Sequence, residues 1–135
     1  MTASAYRISE AAALLGVSDD TVRRWADAGR LTLTRADNGR LVVPGAELAA
    51  LARSLAAEPV TDAAPFASAR NRMTGIVTKV TRDTVMAQVE IQAGPYRLVS
   101  LMSREAADEL GLEPGTAAVA SVKATNVGVE LAVRP

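Results

Sequence analysis

The chain has no cysteine and no histidine among its 135 residues. Without cysteine there is no disulfide framework, no thiolate nucleophile and no sulfur-ligated zinc. Without histidine the usual general base and the commonest metal ligand are missing too. Little is left for enzymatic chemistry, so the expectation is a non-enzyme with no catalytic residue, no metal site and no redox cofactor. Aromatic residues are scarce, only Tyr6, Trp25, Phe66 and Tyr96. That rules out a platform of stacked rings for single-stranded nucleic acid. Excess charge of either sign is also lacking: residues 1–57 carry +7 and −6, and residues 58–135 carry +8 and −9. A nucleic-acid surface would have to come from local placement of arginines. No apolar run approaches the roughly 18 residues of a membrane span, and no charged-then-apolar leader opens the chain. The expected protein is cytoplasmic and makes no membrane contact.

What the chain does have is aliphatic packing material, with 49% hydrophobic residues, arranged in two styles. Before residue 57 the periodicity is helical. Residues 58–67 hold two prolines among small residues and read as a linker, and from 68 to 135 alternation takes over. The reading is therefore α+β: a small winged helix-turn-helix domain over 1–57, then a small OB-like β-barrel with one short helix over 68–135.

In the first part, Ser9 is expected to cap a short helix that buries Ala11, Ala12 and Leu15 and ends at Gly16. Ser18 caps a second, with Asp19 and Asp20 in its first turn, where the partial positive charge of a helix start favours anions. Adjacent carboxylates in that position are caps and not a metal pair. Val22, Trp25 and Ala26 share its inner face, and Gly29 stops it. Leu31–Arg35 and Arg40–Val43 flank Asp37-Asn38-Gly39, a hairpin signal that places a wing beside the helices. Pro44 suits the first turn of a third helix, closed onto the core by Leu48, Leu51 and Leu55.

In the second part, strands are expected around Ile76–Val80, Val85–Ile91, Tyr96–Met102, Ala117–Lys123 and Val127–Val133. Ser103 caps a helix running to Leu110, whose carboxylates Glu105, Asp108 and Glu109 are solvated. Two segments stand out. Ser68-Ala69-Arg70-Asn71-Arg72-Met73-Thr74-Gly75 and Lys123-Ala124-Thr125-Asn126-Val127 offer cations, hydroxyls, amides and backbone N–H groups without a carboxylate. A small tetrahedral oxyanion stripped of water requires that kind of donor set.

Residues 6–52, with the pattern YRISEAAALLGVSDDTVRRWADAGRL followed by a glycine-containing wing, resemble MerR-like and excisionase-like helix-turn-helix modules. Residues 68–133, with SARNRMTGIVTKV and VKATNVGVEL, resemble a Mop (molbindin, TOBE-like) domain, the molybdate-binding unit found also in ModE-type regulators. The first resemblance implies double-stranded DNA as a partner, contacted by Asp20, Thr21, Arg23 and Arg24 on the second helix and by Arg35 and Arg40 on the wing. Related wings often carry consecutive basic residues, whereas here Arg40 precedes Leu41 and Val42.

The second resemblance implies molybdate or tungstate as ligand, bound between subunits of a homo-oligomer, dimer to hexamer, that assembles through the Mop domain. The principal contacts would be Ser68, Arg70, Lys123 and Thr125, with the backbone of Ala69 and Ala124, and with Asn71 and Asn126. Thr125 and Asn126 stand where the family commonly has two serines. Together the resemblances imply a molybdate- or tungstate-responsive transcriptional regulator. The alternative is a storage or buffering protein whose helix-turn-helix serves for tethering.

Overall fold

The computed structural model describes residues 4–56 and 68–133, and the expected linker at 58–67 lies outside the described residues. The described residues divide into two compact units, 4–56 grouped with 130–133, and 68–129. The class is α+β.

The first unit runs β1 (Ala5–Arg7), α1 (Ile8–Leu15), α2 (Asp19–Asp27), β2 (Thr34–Arg35), β3 (Leu41–Pro44) and α3 (Gly45–Leu55). The cap of α1 is Arg7 rather than Ser9. Its cause is tertiary: β1 pairs antiparallel with β3, Tyr6 opposite Val43 and Arg7 opposite Val42, which holds the backbone extended through Arg7. The Arg7 N–H donates to Glu10 Oε1 at 2.9 Å, and this occupies one carboxylate oxygen of Glu10, a residue only 5% exposed. Gly16 ends α1 at φ +69. Ser18 caps α2 as its position suggests, its Oγ accepting from the Thr21 N–H at 3.2 Å. After α2 the Arg30 N–H donates back to the Trp25 carbonyl at 2.8 Å, with Gly29 at φ +78 turning the chain between them.

Ala11, Ala12, Val22, Leu31, Val43 and Leu48 form the buried centre of this unit, and Trp25 packs against its rim. Trp25 is therefore a core residue. Three local expectations change. Leu31 belongs to the core and β2 begins only at Thr34, so the wing is shorter than the apolar run suggested. Pro44 finishes β3 and precedes α3 as its cap position. Leu55 is 42% exposed, leaving Leu48 and Leu51 to seal the core.

The second unit is a four-stranded antiparallel sheet in the order β6-β5-β4-β7, from β4 (Asn71–Arg82), β5 (Met86–Ala93), β6 (Tyr96–Ser103) and β7 (Ala117–Val122). α4 (Arg104–Glu109) is capped by Ser103, whose Oγ accepts from the Ala106 N–H at 3.1 Å. Val77, Val89, Ile91 and Leu112 are its buried centre. β4 slips register between Val77 and Lys79, and at this bulge the loop before β7 closes on it, the Gly115 N–H donating to the Val77 carbonyl at 2.8 Å. Asp108 is not merely solvated. Arg82 Nε donates to its Oδ1 at 2.9 Å and Arg82 Nη2 to the Leu112 carbonyl at 2.9 Å, which pins α4 and the following loop to the end of β4.

The largest departure concerns the expected fifth strand. Residues 127–133 pair with no strand among the described residues. Val129, Leu131 and Val133 are 93%, 99% and 94% exposed. The OB-like element is thus a half-barrel of four strands.

Candidate functional site

The ladder between β4 and β7 ends at the pair Asn71 and Val122. Ser68, Ala69 and Arg70 lead directly into Asn71, while Lys123, Ala124, Thr125 and Asn126 follow Val122. Antiparallel pairing therefore sets both donor-rich segments at the same end of one ladder, within a single protomer. Asn71 fastens this end: its Nδ2 donates to the Val122 carbonyl at 3.1 Å. This bond ties the two strands from which the donor-rich segments lead.

Ala124–Asn126 form a 3₁₀ turn, closed by the Asn126 N–H on the Lys123 carbonyl at 2.9 Å and the Val127 N–H on the Ala124 carbonyl at 3.3 Å. The turn opens with Ala124 and Thr125, and a helical turn has no internal partner for its first amides. Ser68, Arg70, Lys123, Thr125 and Asn126 are exposed, and Ala69 is half-buried. Among the described residues the side chains of Ser68, Lys123, Thr125 and Asn126 make no hydrogen bond or ion pair. No Asp or Glu occurs between residues 63 and 82 or between 114 and 129. The corner thus concentrates donors and cations with no acid in either segment, a donor set that fits an oxyanion.

Sequence reasoning left Arg72 out of this set. Arg72 sits in β4 opposite Ser121, and its Nε is buried without a hydrogen-bond partner. A buried guanidinium nitrogen without an acceptor is costly, and this one lies one ladder pair in from Asn71 and Val122, next to the same corner. The strand period of two was the available signal, because residues 70 and 72 share a face of an extended chain.

On the first unit, α2 brings Asp20, Thr21, Arg23 and Arg24 onto one stretch of surface. The half-buried Thr21 hydroxyl lies 3.0 Å from Ser18 Oγ and accepts from Arg24 Nη2 at 3.1 Å, while Arg23 Nη1 stands 3.5 Å from Asp20 Oδ1. These contacts are exposed and worth little, on the order of 1 kcal/mol or less, so a phosphate can displace them. In the wing, Arg35 Nη1 donates to the Gly39 carbonyl at 2.8 Å, which ties it to its own turn, while Arg40 is exposed. Among the described residues no group of three or more acidic side chains is arranged to hold a metal ion, and no helix is long and apolar enough to cross a membrane.

Residues 67–129 match the TOBE domain family, and residues 5–56 match a helix-turn-helix domain family. Over 61 residues the chain is 36% identical to Molybdenum-pterin-binding protein 3 of Clostridium pasteurianum, an alignment spanning 44% of this chain and 90% of that protein. Among solved structures it is similar to a molybdate binding protein from Sporomusa ovata, with 31% identity, 48% of this chain and 97% of the other covered, and a TM-score of 0.47. It is similar also to the cytoplasmic molybdate-binding protein ModG in a form with molybdate bound, with 38% identity, 47% of each chain covered and a TM-score of 0.43.

Proposed function

The chain belongs to the TOBE domain family through its C-terminal half, and from that membership, joined to its helix-turn-helix domain, we propose that it is a molybdate- or tungstate-responsive DNA-binding transcriptional regulator. The observation that carries the reading is the meeting of Ser68–Arg70 and Lys123–Asn126 at one end of the β4–β7 ladder, where Asn71 bridges the strands. Arg70 and Lys123 supply the charge that offsets a dianion. Ser68 and Thr125 supply hydroxyl donors, the backbone of Ala69 and Ala124 supplies amides, and Asn126 supplies a neutral donor where relatives of this kind commonly have a hydroxyl.

Relatives named for molybdenum-pterin and molybdate identify the anion class. Tungstate has the same shape and charge and belongs to the same reading. On the DNA side, Arg23 and Arg24 at the exposed face of α2 meet the major groove with Thr21 and Asp20, and Arg40 reaches the backbone beside it from a wing turn that Arg35 holds in place. One such module binds weakly, so the functional unit is a homo-oligomer held through the TOBE half. The residues 58–67 act as the tether between the two functions, the protein works in the cytoplasm, and no reaction is catalysed.

Thermal unfolding of the full chain in molybdate, tungstate, sulfate and phosphate tests the site. At a thousandfold excess over its dissociation constant a specific anion raises stability by about 4 kcal/mol. Molybdate and tungstate are expected to give that shift and phosphate far less, and Arg70→Ala or Lys123→Ala to remove it while the far-ultraviolet spectrum stays native. Equal small shifts with all four anions, or an unchanged molybdate shift in both variants, overturn the assignment.

One structural observation favours a storage protein instead: Arg35 is spent on its own turn and Arg40 is followed by Leu41 and Val42, which thins the charge of the wing. Absence of DNA binding at low salt would select that reading, since phosphate contacts are strongest there.

A further inference from the structure

The helix assigned to the major groove is short of positive charge. α2 carries three acids, Asp19, Asp20 and Asp27, against two bases, Arg23 and Arg24. Phosphate contacts draw their affinity from cations and the counterions these displace, so a helix with that balance gains little from the DNA backbone. Its two arginines are also held differently. Arg23 Nη1 stands 3.5 Å from Asp20 Oδ1, a carboxylate that offsets its charge. Arg24 Nη2 donates at 3.1 Å to the Thr21 hydroxyl, a neutral acceptor that takes one N–H and leaves the charge intact. A guanidinium has five N–H donors, and among the described residues the Arg24 side chain makes no other hydrogen bond or ion pair. The remaining donors are open to a ligand.

Thr21 is itself fixed. It is half-buried, next to the fully buried Val22. Its hydroxyl lies 3.0 Å from Ser18 Oγ, the cap of the helix, and its N–H donates to that same oxygen at 3.2 Å. Arg24, Thr21 and Ser18 thus form a chain of polar contacts that starts on the exposed face of α2 and ends at its N-terminus. Helical side chains lean toward the N-terminus in any case. Here the lean is held, and the guanidinium is drawn back one turn toward the end of a recognition helix that meets base edges. Each contact adds little to folding stability. Together they restrict the rotamers of Arg24, and a side chain ordered before binding loses less freedom when it binds.

We infer that Arg24 is the base-reading residue of α2, set on a guanine through a bidentate pair to O6 and N7, and that Thr21 is the positioning residue that aims it. The inference rests on the reading of the first unit as a DNA-binding domain and names the base that unit selects. Guanine follows from the chemistry. Its major-groove edge offers two acceptors side by side, which a guanidinium fork matches with two donors and no acceptor. Adenine sets a donor beside its acceptor and leaves one arm of the fork opposed. A backbone phosphate is the poorer target, because Asp19 and Asp20 stand at the same end of the helix and repel it.

Short duplexes of random sequence are selected on the full chain at low salt, and the enriched sequence is then measured by fluorescence anisotropy. It is expected to contain a guanine whose replacement by adenine lowers wild-type affinity about 5- to 150-fold. Replacement by 7-deazaguanine, which lacks only the N7 acceptor, is expected to cost part of that factor, a readout made on the wild-type chain and independent of how any variant folds. Arg24→Ala should bind the three duplexes alike while keeping the wild-type dependence on salt, as loss of a base contact requires. Thr21→Val keeps the N–H that caps the helix and removes the hydroxyl; it should lose most of the discrimination, and Thr21→Ser should restore it. An enriched sequence with no required guanine overturns the inference, as does discrimination that survives Arg24→Ala. A salt slope lowered by about one in Arg24→Ala makes that residue a phosphate contact and overturns it too. Thr21→Val indistinguishable from wild type removes the positioning role. In each of these cases the chain still binds duplex DNA. Failure of the wild-type chain to bind any duplex is a separate result, and it overturns the DNA-binding reading together with the inference.

Discussion

Asp83 shows how a single side chain organises a turn and ties it to pH. Its Oδ1 accepts the N–H groups of Met86 at 2.7 Å and Val85 at 2.8 Å, bridging the connection between β4 and β5. The Met86 amide foremost, then that of Val85, with a smaller contribution from Arg104, hold its carboxyl below the ordinary value of 3.8. A carboxylate whose pKa is lowered by folding contributes stability that is complete above the unfolded value. That contribution is lost as pH falls through the lower folded value. Wild-type protein is therefore expected to melt above Asp83→Asn at neutral pH, and the gap to close as the solution is acidified below 3.8. Melting curves of both proteins between pH 7 and pH 2 check this, and a gap that does not change with pH refutes it.

Arg72 stands at the same scale. In the sequence it is one more arginine in SARNRMTG, marked only by its spacing of two from Arg70. Its significance appears only with folding, where it stands opposite Ser121 and its Nε is buried without an acceptor.

At the scale of elements, β4 carries the most constraint. Twelve residues long, it pairs with β5 and with β7, bears the bulge, and begins at the donor-rich end of the ladder. Gly75 lies tight against β5: a Cβ there would stand 2.4 Å from the Gln92 carbonyl oxygen and 2.9 Å from Ile91 Cγ2. The first obstacle is backbone and cannot rotate away. Gly75→Ala is expected to destabilise by about 1–3 kcal/mol, the usual range for forcing atoms into a packed site, measured by urea unfolding of the full chain. A loss under roughly 0.5 kcal/mol, typical of an uncrowded surface substitution, would show that the ladder is looser than its geometry.

Elements also differed in how legible they were. The caps at Ser18 and Ser103 and the stops at Gly16 and Gly29 were readable because a cap is settled within three or four residues of chain. The start of α1 was not. Its cap moved from Ser9 to Arg7 because β3, more than thirty residues away, extends β1. Leu55 fits the helical spacing of Leu48 and Leu51, yet it lies in the last turn of α3 and remains exposed.

For the molecule as a whole, the central question is whether two binding functions on one chain are coupled. Coupling between ligands is reciprocal: whatever factor molybdate applies to DNA affinity, DNA must apply to molybdate affinity. The expected coupling is on the order of 1–3 kcal/mol, a change of roughly 5- to 150-fold. Fluorescence anisotropy of operator-length DNA with and without molybdate measures it in one direction, and calorimetry of molybdate with and without DNA measures it in the other. Arg24→Ala should weaken the DNA curve and leave the anion titration without DNA unchanged. Anisotropy curves that superimpose with and without anion would reduce the protein to two unconnected binding activities.

The amino-acid sequence by itself determined the α+β class, the donor inventory of the two oxyanion segments, the basic residues of α2 and the exclusion of thiol and imidazole chemistry. All of these depend on residue type and short spacing, which the chain carries wherever it goes. Tertiary structure alone decided that Asn71 clamps the corner while Arg72 is left with an unmet donor, because these follow from which strand lies beside which. It also decided that Val127–Val133 stays out of the sheet. Alternation specifies that a strand wants a partner, and the identity of that partner is settled only by the edges that folding leaves open.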